Sequence, residues 1–111
     1  MASVYEYQSP FVDLTATVAA SASATDAIKT GGMRPVAVLF PATFTSATMT
    51  FAPKSTGSTY KTLNSGTVSV SADNWVGIPE ATAAYLGDDF KINTVSAETA
   101  KRTLRIRCMR W

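Results

Sequence analysis

Histidine is absent from the 111 residues, and cysteine occurs once, at Cys108. Catalytic pairs that use histidine as the general base are therefore excluded, as are metal sites built from histidine or from several cysteines. A single cysteine cannot form an intramolecular disulfide. Because Cys108 follows Leu104 and Ile106 at alternate positions, we predict that it is a small buried side chain.

Long apolar runs are also lacking. No stretch reaches the roughly 18 apolar residues that indicate a membrane-spanning helix. The first ten residues carry Glu6 and no basic residue, which is not typical of a signal peptide. Charged residues make up 16% of the chain, and the net charge is only +2. Since the basic residues form no extended stripe interleaved with aromatic residues, we expect neither a membrane nor a nucleic acid as partner.

Motifs for phosphate and calcium are missing from the sequence: the glycines are isolated turn residues, and no DxDxDG loop occurs. The remaining carboxylate candidates for chemistry are Asp73 and the pair Asp88–Asp89. Asp73 precedes Asn74 and is more typical of a turn, and the other two would point to opposite faces of a strand. We therefore expect no catalytic residue, no cofactor and no metal site, and we interpret the chain as a non-enzyme.

Small and hydroxyl-bearing residues are abundant, since alanine, serine and threonine account for 44 of the 111 residues. Such side chains suit strands with one solvated face. Apolar and polar residues alternate at 11–18, 47–52, 67–72, 90–93 and 103–108. The continuous apolar run at 36–40 predicts a strand buried on both faces, and Pro41 and Pro53 are expected to end strands.

This spacing predicts an all-β fold of about eight short strands in a single antiparallel β-sandwich. One helical turn is expected near residues 79–86, because Pro79 and Glu80 suit a helix start and Gly87 suits its end. We assign residues 11–111 to the sandwich and residues 1–10 to an extended N-terminal arm. The alternation of Tyr5 and Tyr7 with polar residues fits a short edge strand equally well.

Positive charge is concentrated at the C-terminus, where residues 101–111 carry five basic residues and no acid. Arg105 and Arg107 would lie on one face of a strand, about 6–7 Å apart. Two interpretations remain open: pairing with Asp89 or another acid of the same domain, or contact with an acidic partner. Tryptophan and arginine are enriched at interface hot spots, so Arg110 and Trp111 are candidate contacts.

The other candidate interface residues are aromatic and lie near the N-terminus: Tyr5, Tyr7 and Phe11. Trp75, Tyr60 and Tyr85 could instead serve as loop aromatics that bind carbohydrate. For Trp75, a core position is equally compatible with the following Val76 and Ile78.

Four stretches resemble small structural proteins of tailed bacteriophages. They are YEYQSPFVDLTATVAASASATDAI, VAVLFPATFTSATMTFAPKSTGSTYKTL, the strand at 75–79 with the turn PEATAAYLG, and the terminal RTLRIRCMR. The resemblance implies a sandwich of jelly-roll character that is made in the host cytoplasm and located in the virion.

Two functions are compatible with this resemblance. One is a capsid decoration or cement protein that stabilises the shell at subunit junctions. Its expected partners are the major capsid protein or other virion proteins, and it is expected to be a homo-oligomer. The other is a tail or head-fibre module that binds host-surface carbohydrate. The resemblance includes no catalytic or ligand-binding residue.

Overall fold

The computed structural model describes residues 10–64 and 66–110. Tyr5, Tyr7 and Trp111 lie outside the described residues, so the N-terminal arm and its alternative as an edge strand remain predictions. The described residues form nine strands and one helix: β1 (Phe11–Val18), β2 (Ile28–Lys29), β3 (Arg34–Leu39), β4 (Thr48–Thr56), β5 (Thr59–Tyr60), β6 (Val68–Ser69), β7 (Trp75–Gly77), α1 (Glu80–Tyr85), β8 (Asp89–Thr94) and β9 (Arg102–Met109).

The strands form two antiparallel sheets. One has the order β1-β9-β3-β7, and the other has the order β2-β8-β4-β5, with β6 also paired to β4. The chain changes sheet at each connection except those from β4 through β5 to β6. This is the strand order of a jelly roll, which confirms the predicted sandwich.

The core lies between the two sheets and follows the predicted alternation. On β9, Leu104, Ile106 and Cys108 are fully buried, and Phe90 and Ile92 face them from the other sheet's β8. Burial raises the pKa of the Cys108 thiol to about 11, so it remains a neutral packing group, as predicted.

The prediction that residues 36–40 are buried on both faces is wrong. Val38 and Phe40 are buried, but Leu39 is only half-buried because it lies on the outer face of its sheet. β3 has neighbours on both sides within that sheet, β9 and β7. In a two-layer sandwich, however, only one face of each sheet meets the other sheet.

Pro53 does not end its strand as predicted. β4 continues to Thr56, and Pro53 is paired with Phe90 of β8. The carbonyl of Pro53 accepts a hydrogen bond from the amide of Lys61, 3.1 Å away. The backbone polar groups of Pro53 therefore point toward β5, which is short and pairs irregularly with β4. Because the missing N–H points toward this poorly paired side, the proline is tolerated within the strand.

The predicted helical turn is confirmed as α1, and Gly87 follows its C-cap, Leu86. Gly87 has φ +64°, a left-handed conformation that L-residues adopt at a cost. A Cβ added there would have open space, so the cost of a substitution arises from the backbone alone.

Gly87→Ala is therefore expected to lower the free energy of unfolding by about 1–2 kcal/mol, measured by urea denaturation. Gly77→Ala is the matched control, since Gly77 also has open space and lacks a positive φ. We expect the control to change stability by less than about 0.5 kcal/mol. Equal effects of the two substitutions would contradict the backbone explanation.

A buried carboxylate joins three loops at one end of the sandwich. Glu98, in the β8–β9 loop, has no exposed surface, and its backbone exchanges hydrogen bonds with Ser21 and Ala22 of the β1–β2 loop. One carboxylate oxygen accepts from the Thr45 amide at 3.1 Å and from Arg102 Nε at 2.9 Å. The other accepts from the Thr45 hydroxyl and from the amide and hydroxyl of Ser46.

These bonds hold the pKa of Glu98 at about 2 even though burial by itself would raise it. The carboxylate is therefore ionised and fully paired at neutral pH. The sequence analysis assigned this residue no role.

Candidate functional site

The first and last described residues, Pro10 and Arg110, lie together at the end of the sandwich opposite Glu98. β1 and β9 pair along their whole lengths, with Phe11 opposite Met109. Beyond this pair, the amide of Arg110 donates to the carbonyl of Pro10 at 2.9 Å. Phe11 and Arg110, two of the predicted interface residues, are therefore brought to the same end of one sheet.

A stack of one arginine and two aromatic rings lies on the outer face of the β1-β9-β3-β7 sheet. The guanidinium carbon of Arg107 is 4.4 Å from the centroid of the Trp75 ring and 5.4 Å from that of Phe11. Arg107 pairs with Ala37 of β3, which in turn pairs with Gly77 of β7. Because Ala37 is small, the long arginine side chain has space to cross the sheet face.

Arg107 is also held by an acid. Its Nε and Nη2 donate to the two carboxylate oxygens of Asp13, at 3.0 and 3.2 Å, in a bidentate geometry. The hydrogen bond lowers the pKa of Asp13 and raises that of Arg107. Trp75, which is 39% exposed, therefore stands against a fixed cation rather than in the core.

The interpretation that pairs the arginines with Asp89 is wrong, because Asp89 lies in the other sheet. There it accepts a hydrogen bond from the Tyr60 hydroxyl at 2.8 Å and contacts Lys54 Nζ at 3.4 Å. The more general form of that interpretation, pairing with an acid of the same domain, holds for Arg107 through Asp13. Arg105 makes no ion pair within the described ranges.

A groove of about 240 Å³ lies beside the stack, on the same outer face. Apolar side chains, one cation, one carboxylate and two hydroxyls line it. The lining residues are Thr15, Leu39, Phe40, Pro41, Asp73, Thr103, Leu104 and Arg105. Trp75 is not a lining residue but is a neighbour of two of them, since it pairs with Leu39 and follows Asp73 by two residues.

The carboxylates of the described residues do not gather into a metal-binding cluster. No group of three or more acidic or cysteine side chains that could hold a metal ion occurs within residues 10–64 and 66–110. Asp73 has φ +64° and lies in a turn, as predicted from its position before Asn74. The described part of the chain also has no helix that is long and apolar enough to cross a membrane.

Sequence analysis identified residues of this surface individually but did not predict that they lie together. The outward positions of Arg105 and Arg107 followed from alternation, and Phe11 was singled out as an aromatic residue. The contact between Arg107 and Trp75 was missed because it joins strands that are not consecutive in the sequence. The sequence does contain a signal for this contact. Trp75 and Gly77 are two positions apart on one strand, so both positions face the outer side of the sheet.

Comparisons with known proteins give no relative for this chain: no family model, no curated protein and no solved structure matches it.

Proposed function

We propose that this protein is a virion structural protein that attaches to the capsid as a decoration or cement protein and stabilises the shell. The observation that carries the proposal is that Pro10 and Arg110, the first and last described residues, lie together at one end of the jelly roll. The sequence resemblance to small structural proteins of tailed bacteriophages supplies the biological setting, with the major capsid protein as the expected partner.

The geometry suits attachment to one partner surface. Pro10 and Arg110 are bonded to each other, so the segments that precede and follow them start from the same place. Those segments contain Tyr5, Tyr7 and Trp111, which are residue types that contribute strongly to interfaces. Two binding segments that extend from neighbouring positions of one domain strengthen each other's binding. Once the first is bound, the binding of the second becomes intramolecular.

The sandwich domain from which these segments extend is suited to resisting mechanical force. All eight residues of β1 pair with β9 in an unbroken register, from Phe11–Met109 to Val18–Arg102. The pull of a bound arm would therefore be spread over a continuous ladder rather than over a flexible loop. Repetition of this contact at symmetric capsid sites, or in a homo-oligomer, would multiply its effect on shell stability.

A structural role also agrees with the state of the one fully buried acid among the described residues. Glu98 is ionised, paired and closed to solvent, so it is a structural group and not a general acid or base. With no histidine in the sequence, the proposal does not include catalysis.

The copy number in purified particles tests the proposal directly. Quantitative mass spectrometry against the major shell protein should give a ratio near one or near a simple fraction of the shell lattice. Particles without the protein should lose resistance to heat and osmotic shock. A handful of copies per particle would contradict a decoration role and favour the tail or head-fibre alternative, and absence from particles would contradict both.

Deletion of residues 1–9, or Trp111→Ala, is expected to weaken binding to undecorated shells by about 10- to 100-fold, as for loss of an aromatic hot spot. Sedimentation with purified shells measures the effect. Val95→Ala is the control, because Val95 is 64% exposed but lies in the β8–β9 loop at the other end of the sandwich. If both changes leave binding at the level of the control, the chain ends are not the attachment site.

A further inference from the structure

The groove beside Trp75 has a composition that the proposed attachment does not use. It includes Thr15, four residues along β1 from Phe11, hence roughly 13 Å from the start of that strand. Its mixed lining of apolar side chains and a few polar groups is typical of a ligand site in which apolar contact supplies affinity and polar groups supply orientation.

The groove is lined by one positive and one negative side chain that form no ion pair with each other. Arg105 and Asp73 both line the groove, and the described residues provide neither side chain with a hydrogen bond or an ion pair. A guanidinium offers five N–H donors, and a carboxylate offers only acceptors. Thr15 and Thr103 add hydroxyls that donate or accept.

This combination selects against simple ions. An anion that approached Arg105 would meet the Asp73 carboxylate, and a cation that approached Asp73 would meet the guanidinium. A ligand with several adjacent hydroxyl groups satisfies both, since its oxygens accept from Arg105 and its O–H groups donate to Asp73.

Trp75 supplies the apolar element that such a ligand needs. Its indole is partly exposed next to the groove, and the stacked and salt-bridged Arg107 fixes its position. A ring fixed in the free protein loses little conformational entropy when a ligand packs against it. The C–H face of a sugar ring would then pack against the indole and the apolar side chains of the groove, out of contact with water.

We propose that the groove and Trp75 together bind an uncharged saccharide. Tyr60 and Tyr85 are not part of this site: Tyr60 is bonded to Asp89 on the other sheet, and Tyr85 lies on α1. The site does not depend on attachment to a capsid, so the isolated full-length chain is sufficient to test it.

The test is a glycan array with the full-length protein, followed by calorimetric titration of the neutral saccharides that are retained. Arg105→Ala and Trp75→Ala are each expected to weaken binding about tenfold or more, since each removes a principal contact. Asp73→Asn should also weaken it, and it preserves the turn because asparagine tolerates a positive φ. Thermal unfolding of each variant verifies the fold.

The controls are Lys29→Ala, which removes an exposed cation from the other sheet, and Tyr85→Ala, which removes an aromatic side chain that is 69% exposed on α1. Both are expected to bind as the unmodified protein does. Three results would overturn the proposal: no retained glycan, retention of acidic glycans alone with loss at high salt, or binding that the groove substitutions leave unchanged. Each of these is independent of whether the protein is found on particles.

Discussion

Glu98→Ala is expected to lower the free energy of unfolding by about 3–5 kcal/mol, the range found when one partner of a buried ion pair is removed. The substitution would leave Arg102, whose side chain is only 11% exposed, without its carboxylate. It would also remove the acceptor of the amides of Thr45 and Ser46. Buried donors without an acceptor carry their full desolvation cost, which is why the expected loss exceeds that of an ordinary hydrogen bond.

Chemical denaturation of the full-length protein at pH 7 measures this loss. Glu80→Ala is the matched control, because Glu80 also pairs with an arginine, Arg34 at 3.0 Å, but its side chain is 85% exposed. Exposed pairs contribute little, so the control should change stability by less than about 1 kcal/mol. A loss from Glu98→Ala as small as that of the control would show that the three loops are held together by other contacts.

Glu98→Gln distinguishes the contribution of the negative charge to stability from that of the size of the side chain. The amide keeps the size of the side chain but places an NH₂ group against the donors that the carboxylate now accepts from. We therefore expect this variant to be destabilised as well, and to lack the pH dependence described next.

Acidification is expected to remove about 3 kcal/mol of stability through Glu98 alone. Its pKa is about 2 in the folded protein, against an ordinary value of 4.5. Because the folded value is the lower one, the unfolded chain binds the proton more readily. The stabilisation is therefore complete above about pH 4.5 and is lost as the pH falls toward 2.

Denaturation curves collected between pH 7 and pH 2 test this prediction. The unmodified protein should lose stability steadily below about pH 5, and Glu98→Gln should show a much weaker decline over the same range. Some decline should persist in the variant, because hydrogen bonds to Arg107 and Tyr60 also lower the pKa values of Asp13 and Asp89. An unchanged slope in Glu98→Gln would assign the acid sensitivity to those surface groups instead.

The fold itself was largely predictable from the sequence. Alternation has a period of two residues, so it identified both the strands and their buried faces at β1, β8 and β9. Proline, glycine and acid placement likewise predicted α1. These signals are local, because each depends only on residues within one turn or one strand.

Sequence reasoning failed where a strand's environment depended on its neighbours. The apolar run of β3 was expected to be buried on both faces, but the number of layers, not the run itself, decides whether the second face is covered. Pro53 was expected to stop β4, but whether a missing N–H matters depends on the side to which it points. Neither property is encoded within the segment concerned.

The strands, their inward faces and the absence of histidine chemistry were predictable, because these follow from residue type and local period. Which side chains meet depends on how the strands are arranged in the folded protein. Trp75, Arg107 and Phe11 belong to three different strands, and the register of one sheet stacks them. Glu98 is of a residue type that is usually solvated in loops, and it is buried here because the β3–β4 loop and Arg102 supply the donors that satisfy its charge.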